Sequence, residues 1–246
     1  MSVVSACTET GKDLEYYNRA ETAFSAGRLN EAAQLYELFL DNETESPERF
    51  IAWKRLLTIY HDIGRNTEKG LNILRAMSVE YENDREKLWF IYMKIGRLYA
   101  GQNKFESSID FYERTLDMAE SGQELFQSYE ALAEVHYKKR DYSTAARLLR
   151  EFLSSDESKL PARTGRINYL LGRAYYQLKD SDSAVEHLVR TLYMDAPENQ
   201  RSKAGMLLYD IYLEMKDFEN ARKVLEELEK FYPNPKVIRI RLDDLP

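Results

Sequence analysis

Residues 129–149 read YEALAEVHYKKRDYSTAARLL, and this stretch contains two amphipathic periods separated by a turn. In the first period the large apolar residues Tyr129 and Leu132 are followed by the small residue Ala133, at helical spacing. The turn contains Asp141, a residue type favoured at helix N-caps, and Ala145 opens a second apolar period. The stretch therefore predicts two antiparallel helices joined by a short turn, with small residues where the helices approach each other.

Five further segments repeat this order of large apolar residue, small residue, turn and second apolar period. Their diagnostic residues are Tyr16, Ala20, Gly27, Ala32 and Tyr36; Trp53, Leu56, Leu57, Tyr60 and Gly64; Tyr92, Ile95, Gly96, Tyr99 and Phe105; Leu171, Gly172, Tyr175, Ala184 and Leu188; Leu208, Tyr212, Phe218, Ala221 and Leu225. Equivalent turn positions fall near 27, 64, 103, 140, 179 and 216, at intervals of 37, 39, 37, 39 and 37 residues. This alternation is one sign of paired repeats. The second segment is degenerate, because Lys69-Gly70 stands where an alanine is expected.

The repeated pattern, from about Asp13 to Pro233, resembles the tetratricopeptide repeat. The resemblance implies an all-α superhelix, a solenoid of about six helical hairpins with units longer than the roughly 34 residues of an ordinary repeat. The predicted hairpins span residues 13–46, 47–85, 86–123, 124–160, 161–200 and 201–233. Residues 1–12 are predicted to form a flexible lead, and 234–246 a tail containing a short capping helix.

The composition argues against several functional classes. A formal charge of −7 gives no uniform basic surface for nucleic acid, and the sequence lacks the run of eighteen apolar residues that a membrane span needs. No Gly-rich phosphate loop, GxSxG or HExxH motif is present. His61, His136 and His187 lie in different repeats, which favours structural roles over metal ligation. We therefore expect no enzymatic activity and no cofactor or metal.

The resemblance also implies a binding surface, because the first helices of such hairpins line the concave side of the solenoid. The side chains predicted to project there are Tyr17, Lys54, Met93, Arg97, Glu134, Tyr137, Arg166, Tyr169, Arg173, Tyr176 and Lys203. In the fifth hairpin Arg and Tyr alternate, and this combination suits carboxylate binding and rigid contact. We expect a groove for an extended or helical peptide of a protein partner, with an anionic contact near Arg97, Arg166 and Arg173. A solvated helix face is the alternative interpretation.

The single cysteine, Cys7, ends the stretch Val4-Ser5-Ala6-Cys7, which has the form of a bacterial lipobox. In lipoproteins such a cysteine becomes the acylated N-terminus, and residues 8–12 would then serve as a polar tether. A lipobox also follows a basic and an apolar stretch, and only six residues precede Cys7. This interpretation therefore expects a true start further upstream. The alternative is an ordinary cysteine in a frayed end.

With a lipidated Cys7, the chain resembles bacterial envelope lipoproteins built from five or six tetratricopeptide repeats. These include the repeat lipoprotein of the outer-membrane β-barrel assembly machinery. The resemblance concerns size, repeat number, long repeat spacing and the position of the cysteine. It implies a periplasm-facing scaffold whose only link to a membrane is the lipid. Otherwise, the same groove would serve a soluble cytoplasmic adaptor or regulator.

Overall fold

The computed structural model describes residues 6–156, 161–193 and 196–246, without the side chains of residues 6–13, 161 and 162. These ranges contain helices and turns and no strand. The helices are α1 (Ala6–Ser25), α2 (Leu29–Asn42), α3 (Arg49–Leu57), α4 (Thr67–Glu80), α5 (Arg85–Gly101), α6 (Phe105–Asp117), α7 (Gly122–Lys138), α8 (Tyr142–Ser154), α9 (Pro161–Gln177), α10 (Ser181–Tyr193), α11 (Glu198–Glu214), α12 (Phe218–Glu229) and α13 (Pro235–Asp243). Helix α3 continues directly into a π-helical turn at Thr58–Ile63.

In the described part of the chain these helices follow one another as six helix–turn–helix pairs, α1/α2 to α11/α12, and the short helix α13 comes last. The predicted all-α repeat architecture is thus confirmed. Two compact units, Met1–Leu98 and Tyr99–Pro246, each have their own internal contacts. We call them the N-terminal and C-terminal units and describe each by itself.

The first helix starts earlier than its apolar pattern indicates. The sequence predicted the first hairpin from Asp13, whereas α1 begins at Ala6 and includes residues 6–12 of the predicted lead. Periodicity misses this extension because helix-compatible polar residues such as Glu9 and Lys12 leave no apolar stripe. The remaining residues of the predicted lead, 1–5, lie outside the described part of the chain.

Small residues allow close helix approach in the C-terminal unit, as the sequence predicted for Gly172. A Cβ atom on Gly172 of α9 would lie 2.5 Å from Leu188 Cγ of α10. A Cβ atom on Gly205 of α11 would lie 2.7 Å from Leu228 Cδ2 of α12. At such positions the absence of a side chain sets the distance between the two helices of a hairpin.

The C-terminal helix closes the core of this unit. Ile238 of α13 is fully buried, and Leu245, which follows the helix, is 8% exposed. Both belong to the cluster that contains Leu225 and Leu228 of α12. Helix α13 therefore covers the apolar side of the last hairpin, which would otherwise face solvent.

A buried arginine joins the first two hairpins of the N-terminal unit. Arg49, the first residue of α3, forms two hydrogen bonds with the Glu80 carboxylate of α4, at 2.8 and 2.7 Å. It also donates to the carbonyl oxygen of Leu40 in the last turn of α2, at 2.6 Å. In the C-terminal unit, Arg201 of α11 repeats the carbonyl contact with Leu192 of α10, at 2.8 Å. Each arginine satisfies a helix-end carbonyl of the preceding hairpin.

Each hairpin turn contains one residue in the left-handed conformation. These residues are Gly27, Arg65, Asn103, Arg140, Lys179 and Lys216, with φ between 57° and 74°. In five of the turns the following N–H donates to the carbonyl five residues earlier, as Asp141 does to His136 at 2.9 Å. This is the closing bond of a Schellman motif. The same Schellman motif thus ends the first helix in each of those five hairpins, and the second helix begins directly after it.

The second turn is one residue wider. The N–H of Asn66 donates to the carbonyl of Tyr60, six residues earlier, at 3.0 Å, because the π-helical turn Thr58–Ile63 holds an extra residue. The left-handed residue is therefore Arg65 rather than Gly64, and the intervals between turns become 38, 38, 37, 39 and 37. These intervals do not alternate between 37 and 39, so the sign of paired repeats taken from the sequence is wrong.

The glycine at the alanine position of the second hairpin has a local explanation. Gly70 of α4 is buried against the π-helical turn, and a Cβ atom there would lie 3.0 Å from the Cβ of His61. An alanine would therefore need His61 to move by a few tenths of an ångström. Glycine accommodates the wider turn that precedes it.

Candidate partner-binding face

The first helices α7, α9 and α11 of the C-terminal unit lie side by side, because α9 contacts both of the others. We call the surface that they form the inner face. It contains seven of the residues predicted from the sequence, namely Glu134, Tyr137, Arg166, Tyr169, Arg173, Tyr176 and Lys203. The structure brings these residues onto neighbouring helices of one compact unit.

Two arginines of α9 pair with two glutamates of α7. Arg166 Nε lies 2.6 Å from Glu130 Oε1, and its Nη2 lies 3.3 Å from Glu134 Oε1. Arg173 Nη1 donates to the same Glu134 oxygen at 3.1 Å. All four side chains are about one-quarter exposed. The network neutralises its own charges and fixes the register of α9 on α7.

Aromatic rings hold the guanidinium of Arg173. The Arg173 Cζ lies 4.3 Å from the centroid of the Tyr137 ring and 5.6 Å from that of Tyr169. Burial opposes the charge of Arg173, but Glu134, Tyr137 and Tyr169 outweigh it and raise the pKa of this arginine. Cation–π contact and ion pairing thus act on the same group.

These contacts change the interpretation of the arginines. The sequence led us to expect that Arg166 and Arg173 would receive a partner's carboxylate. The structure supplies Glu130 and Glu134 instead, so an anionic partner would have to displace an internal carboxylate to reach either guanidinium. The glutamates were visible in the sequence, but their pairing depends on the alignment of two helices more than 30 residues apart.

A recess of about 570 Å³ adjoins this network. Its walls include Tyr169 of α9, Lys203 and Met206 of α11, and Tyr232 of the segment before α13. Asn199, Ser202, Pro233 and Asn234 complete the lining. Lys203 is exposed and forms no ion pair with any residue that the structure describes. The recess therefore combines apolar and aromatic walls with one available cation.

The far side of the inner face is bounded by two polar contacts. The Tyr176 hydroxyl donates to Glu214 Oε1 at 2.6 Å, linking α9 to α11. Arg241 of α13 lies 3.8 Å from Asp210 of α11. Burial raises the pKa of Asp210, and Arg241 partly offsets that effect. These contacts hold the three elements around the recess in place.

The other predicted residues lie on the N-terminal unit. Tyr17 is half-buried and packs between the rings of Tyr36 and Phe39, with centroid distances of 6.3 and 5.3 Å. The Lys54 ammonium lies 5.0 Å from the centroid of the Phe50 ring. Met93 is half-buried and Arg97 is exposed; both lie on α5. Tyr17 thus belongs largely to the core of the first hairpin, while partner contact by Lys54, Met93 and Arg97 stays a prediction.

The side chain of Cys7 lies outside the part of the chain that the structure describes, so its proposed lipidation also stays a prediction. Among the described residues, no helix is long and apolar enough to cross a bilayer. Within those same residues, no group of three or more His, Cys, Asp or Glu side chains is arranged to hold a metal ion.

Comparison with protein-family models assigns the class. Models of the tetratricopeptide repeat match residues 91–121, 130–199 and 210–235, which together make up just over half of the chain. The chain belongs to the tetratricopeptide repeat family. Proteins of this family are generally non-enzymatic scaffolds for protein–protein interaction.

Solved structures show the same fold. The C-terminal part of a repeat protein from Cytophaga hutchinsonii aligns with a TM-score of 0.67 at 14% identity, over 94% of this chain and 87% of that one. BtubC from P. vanneervenii aligns with a TM-score of 0.62 at 18% identity, over 97% and 92%. PilW, a type IV pilus biogenesis factor, aligns with a TM-score of 0.61 at 14% identity, over 94% and 98%. No curated protein matches the sequence significantly.

Proposed function

We propose that the protein is a non-catalytic scaffold that holds a peptide segment of a protein partner against its inner face. The observation that supports this most directly is the recess beside Tyr169, Lys203 and Met206. Its volume of about 570 Å³ is within the range of about 300–1,000 Å³ typical of ligand sites. Tyr and Met are enriched at protein interfaces.

The internal arginine network assigns different roles to the cations of this face. Arg166 and Arg173 have a structural role, because their charges are neutralised by ion pairs with Glu130 and Glu134. Lys203 is the cation that an acidic group of the partner can approach without displacing a carboxylate from those residues. The anionic contact that the sequence suggested is thus proposed at Lys203.

The test is site-specific photo-crosslinking from position 206 in cells of the source organism. A benzoylphenylalanine at Met206 is expected to form a discrete protein adduct, whereas the same group at exposed Arg222 of α12 is expected to form none. Adding Lys203→Glu should lower the yield of the adduct at least about fivefold, because a like charge then faces the acidic group. Lys236→Glu makes the same charge change on α13 and should leave the yield unaltered.

An adduct that is insensitive to both Lys203→Glu and Tyr169→Ala would contradict the proposal for this face. Reversing the charges of Arg166 and Arg173 together is a poorer test. Each replacement would place a new carboxylate beside Glu130 or Glu134, so the hairpin packing would change as well. The structure predicts a lower melting temperature for that double variant.

A second candidate concerns where the scaffold acts. We infer from the pattern Val4-Ser5-Ala6-Cys7 a lipid-anchored, periplasm-facing scaffold of the bacterial cell envelope. PilW, whose fold the chain shares, is described as a type IV pilus biogenesis factor. A soluble cytoplasmic adaptor with the same inner face is the alternative.

Metabolic labelling separates the two locations. With the native upstream DNA restored, the wild-type protein should incorporate labelled palmitate and sediment with membranes, and Cys7→Ser should do neither. Cys7 is the single cysteine of residues 1–246, so this substitution removes the only thiol of that range. A stop codon directly upstream of Met1, or absence of label from the wild-type protein, would support the cytoplasmic adaptor.

A further inference from the structure

A second pocket lies in the N-terminal unit, and none of its lining residues is among those that the sequence predicted as partner-binding. It has a volume of about 370 Å³ and lies between α2, α3 with its π-helical turn, and α4. Leu40, Leu56 and Ile73 form its apolar lining. Leu40 and Leu56 are 7% and 2% exposed, so this part of the pocket belongs to the rigid core.

Two aromatic side chains form the walls, and each is held by a hydrogen bond. Trp53 Nε1 donates to Glu80 Oε2 at 2.8 Å, and Glu80 is itself fixed by Arg49. The Tyr60 hydroxyl donates to Glu37 Oε1 at 2.8 Å. Burial and the adjacent Glu37 raise the pKa of Tyr60 to about 12, so the phenol stays protonated and keeps donating. The walls are therefore preorganised without a ligand.

The remaining lining residues are two carboxylates of α2. Glu37 and Asp41 are four residues apart and so project from the same side of the helix. Both are exposed, and neither forms an ion pair with a residue that the structure describes. The ammonium of Lys69 lies 3.8 Å from the centroid of the Tyr60 ring. The Tyr60 ring of the pocket wall thus already makes a cation–π contact within the chain.

We propose that this pocket receives an arginine side chain projecting from a partner protein. A guanidinium can stack on Trp53 and Tyr60 through cation–π contact and donate to Glu37 and Asp41 in the fork geometry that suits carboxylates. The aliphatic stem of the arginine covers the apolar lining. The volume is at the lower end of the range of about 300–1,000 Å³ for ligand sites, which suits one long side chain.

Arginine is favoured over lysine for two physical reasons. Its planar, weakly hydrated guanidinium stacks on aromatic rings, whereas an ammonium is a compact and strongly hydrated charge. Arginine is also enriched, and lysine depleted, in protein interfaces. This site is independent of the recess in the C-terminal unit, so either proposal can fail without the other.

The experiment follows the indole N–H resonances of the full chain by ¹H–¹⁵N NMR. The chain has two tryptophans, and a Trp89→Phe variant assigns them. We expect acetyl-Gly-Gly-Arg-Gly-Gly-amide to shift the Trp53 resonance saturably and to leave that of Trp89 in place. The lysine peptide should bind several-fold more weakly, and the citrulline peptide, which has the same shape without the charge, should produce no shift.

A matched pair of double variants tests the carboxylates. Glu37→Gln with Asp41→Asn should weaken binding of the arginine peptide about tenfold or more, because two charge-assisted contacts are lost. Glu82→Gln with Glu86→Gln removes the same charge from exposed positions and should leave the affinity unchanged. Circular dichroism checks that all variants remain folded.

Three outcomes would overturn the proposal. Equal shifts from the arginine and citrulline peptides would show that charge is not recognised. Equal weakening by both double variants would show a non-specific effect of net charge. Tighter binding of free arginine than of the peptide would assign the pocket to a small metabolite rather than to a partner protein.

Discussion

At the scale of single residues, Gly172 shows how strictly the hairpin spacing is set. An added Cβ would stand 2.5 Å from Leu188 Cγ and 2.7 Å from its Cδ2, and Leu188 is fully buried. Overpacking of this kind costs about 1–3 kcal/mol, more than the gain of up to about 1 kcal/mol that alanine brings to a helix. Gly172→Ala should therefore lower the free energy of unfolding in urea.

Gly101, at the end of α5, is the matched control for that substitution. A Cβ there meets nothing within 4 Å. Gly101→Ala should leave stability unchanged or raise it by up to about 1 kcal/mol. Equal effects of the two substitutions would mean that α9 and α10 do not pack as described.

His187 is expected to make the C-terminal unit sensitive to acid. Its Nδ1 lies 2.7 Å from Asn168 Oδ1, and its ring stacks on Tyr175 at 5.5 Å. Burial is the main reason that its pKa is lowered; Arg190 and Arg150 act in the same direction, and Glu186 opposes them. The neutral ring is thus favoured in the folded state, and the Nδ1–H donates to Asn168.

The sign of the pH effect follows from this lowered pKa. Below pH about 6.5, the ordinary histidine pKa, the unfolded chain binds a proton that the folded chain resists, so stability falls as the pH decreases. Urea unfolding at pH 7.5 and 5.5 should show a smaller loss of stability for His187→Gln than for the wild-type protein. An NMR titration of His187 with a pKa at or above the ordinary value would contradict this.

At the scale of elements, the hairpin turns impose left-handed backbone on side chains that disfavour it. Lys216, with a φ of 60°, joins α11 to α12. A non-glycine residue in this conformation costs about 1–2 kcal/mol, while glycine adds about 0.4–1 kcal/mol of unfolded-chain entropy. Lys216→Gly should therefore stabilise the protein by roughly 0.5–1 kcal/mol, measured by thermal and urea unfolding.

Arg222, exposed within α12, provides the comparison. Glycine there should destabilise the helix by about 1 kcal/mol, the opposite sign to Lys216→Gly. Gly27, the corresponding residue of the first turn, is glycine already. A loss of stability on Lys216→Gly would show that the lysine makes a contact that offsets its backbone strain.

At the scale of the whole molecule, a stack of hairpins depends on its ends, because each hairpin buries its apolar side only against its neighbours. Helix α13 offers a direct test, since Ile238 is fully buried while Ile240 is 60% exposed. Ile238→Ala should cost about 2–5 kcal/mol, and Ile240→Ala should stay within about 0.5 kcal/mol. Similar effects of the two would mean that α13 does not cap the last hairpin.

The sequence by itself determined the repeat, the number of hairpins and the presence of the capping helix. These features depend on short-range patterns, namely apolar spacing of three and four residues, small residues such as Ala133 and Gly172, and turn residues such as Asp141. Six repetitions of one weak pattern made the prediction strong. Where the pattern was silent, at residues 6–12, the start of α1 was missed.

Only the tertiary structure decided which charges meet. Arg166 and Arg173 lie 32 to 39 residues from Glu134, and Arg49 lies 31 residues from Glu80. The tertiary structure also placed Tyr232 beside Tyr169 in the recess. It placed Trp53 and Tyr60 beside two carboxylates that form no ion pair with a described residue. Such contacts depend on the register between helices of neighbouring hairpins, which side-chain packing sets and local periodicity does not encode.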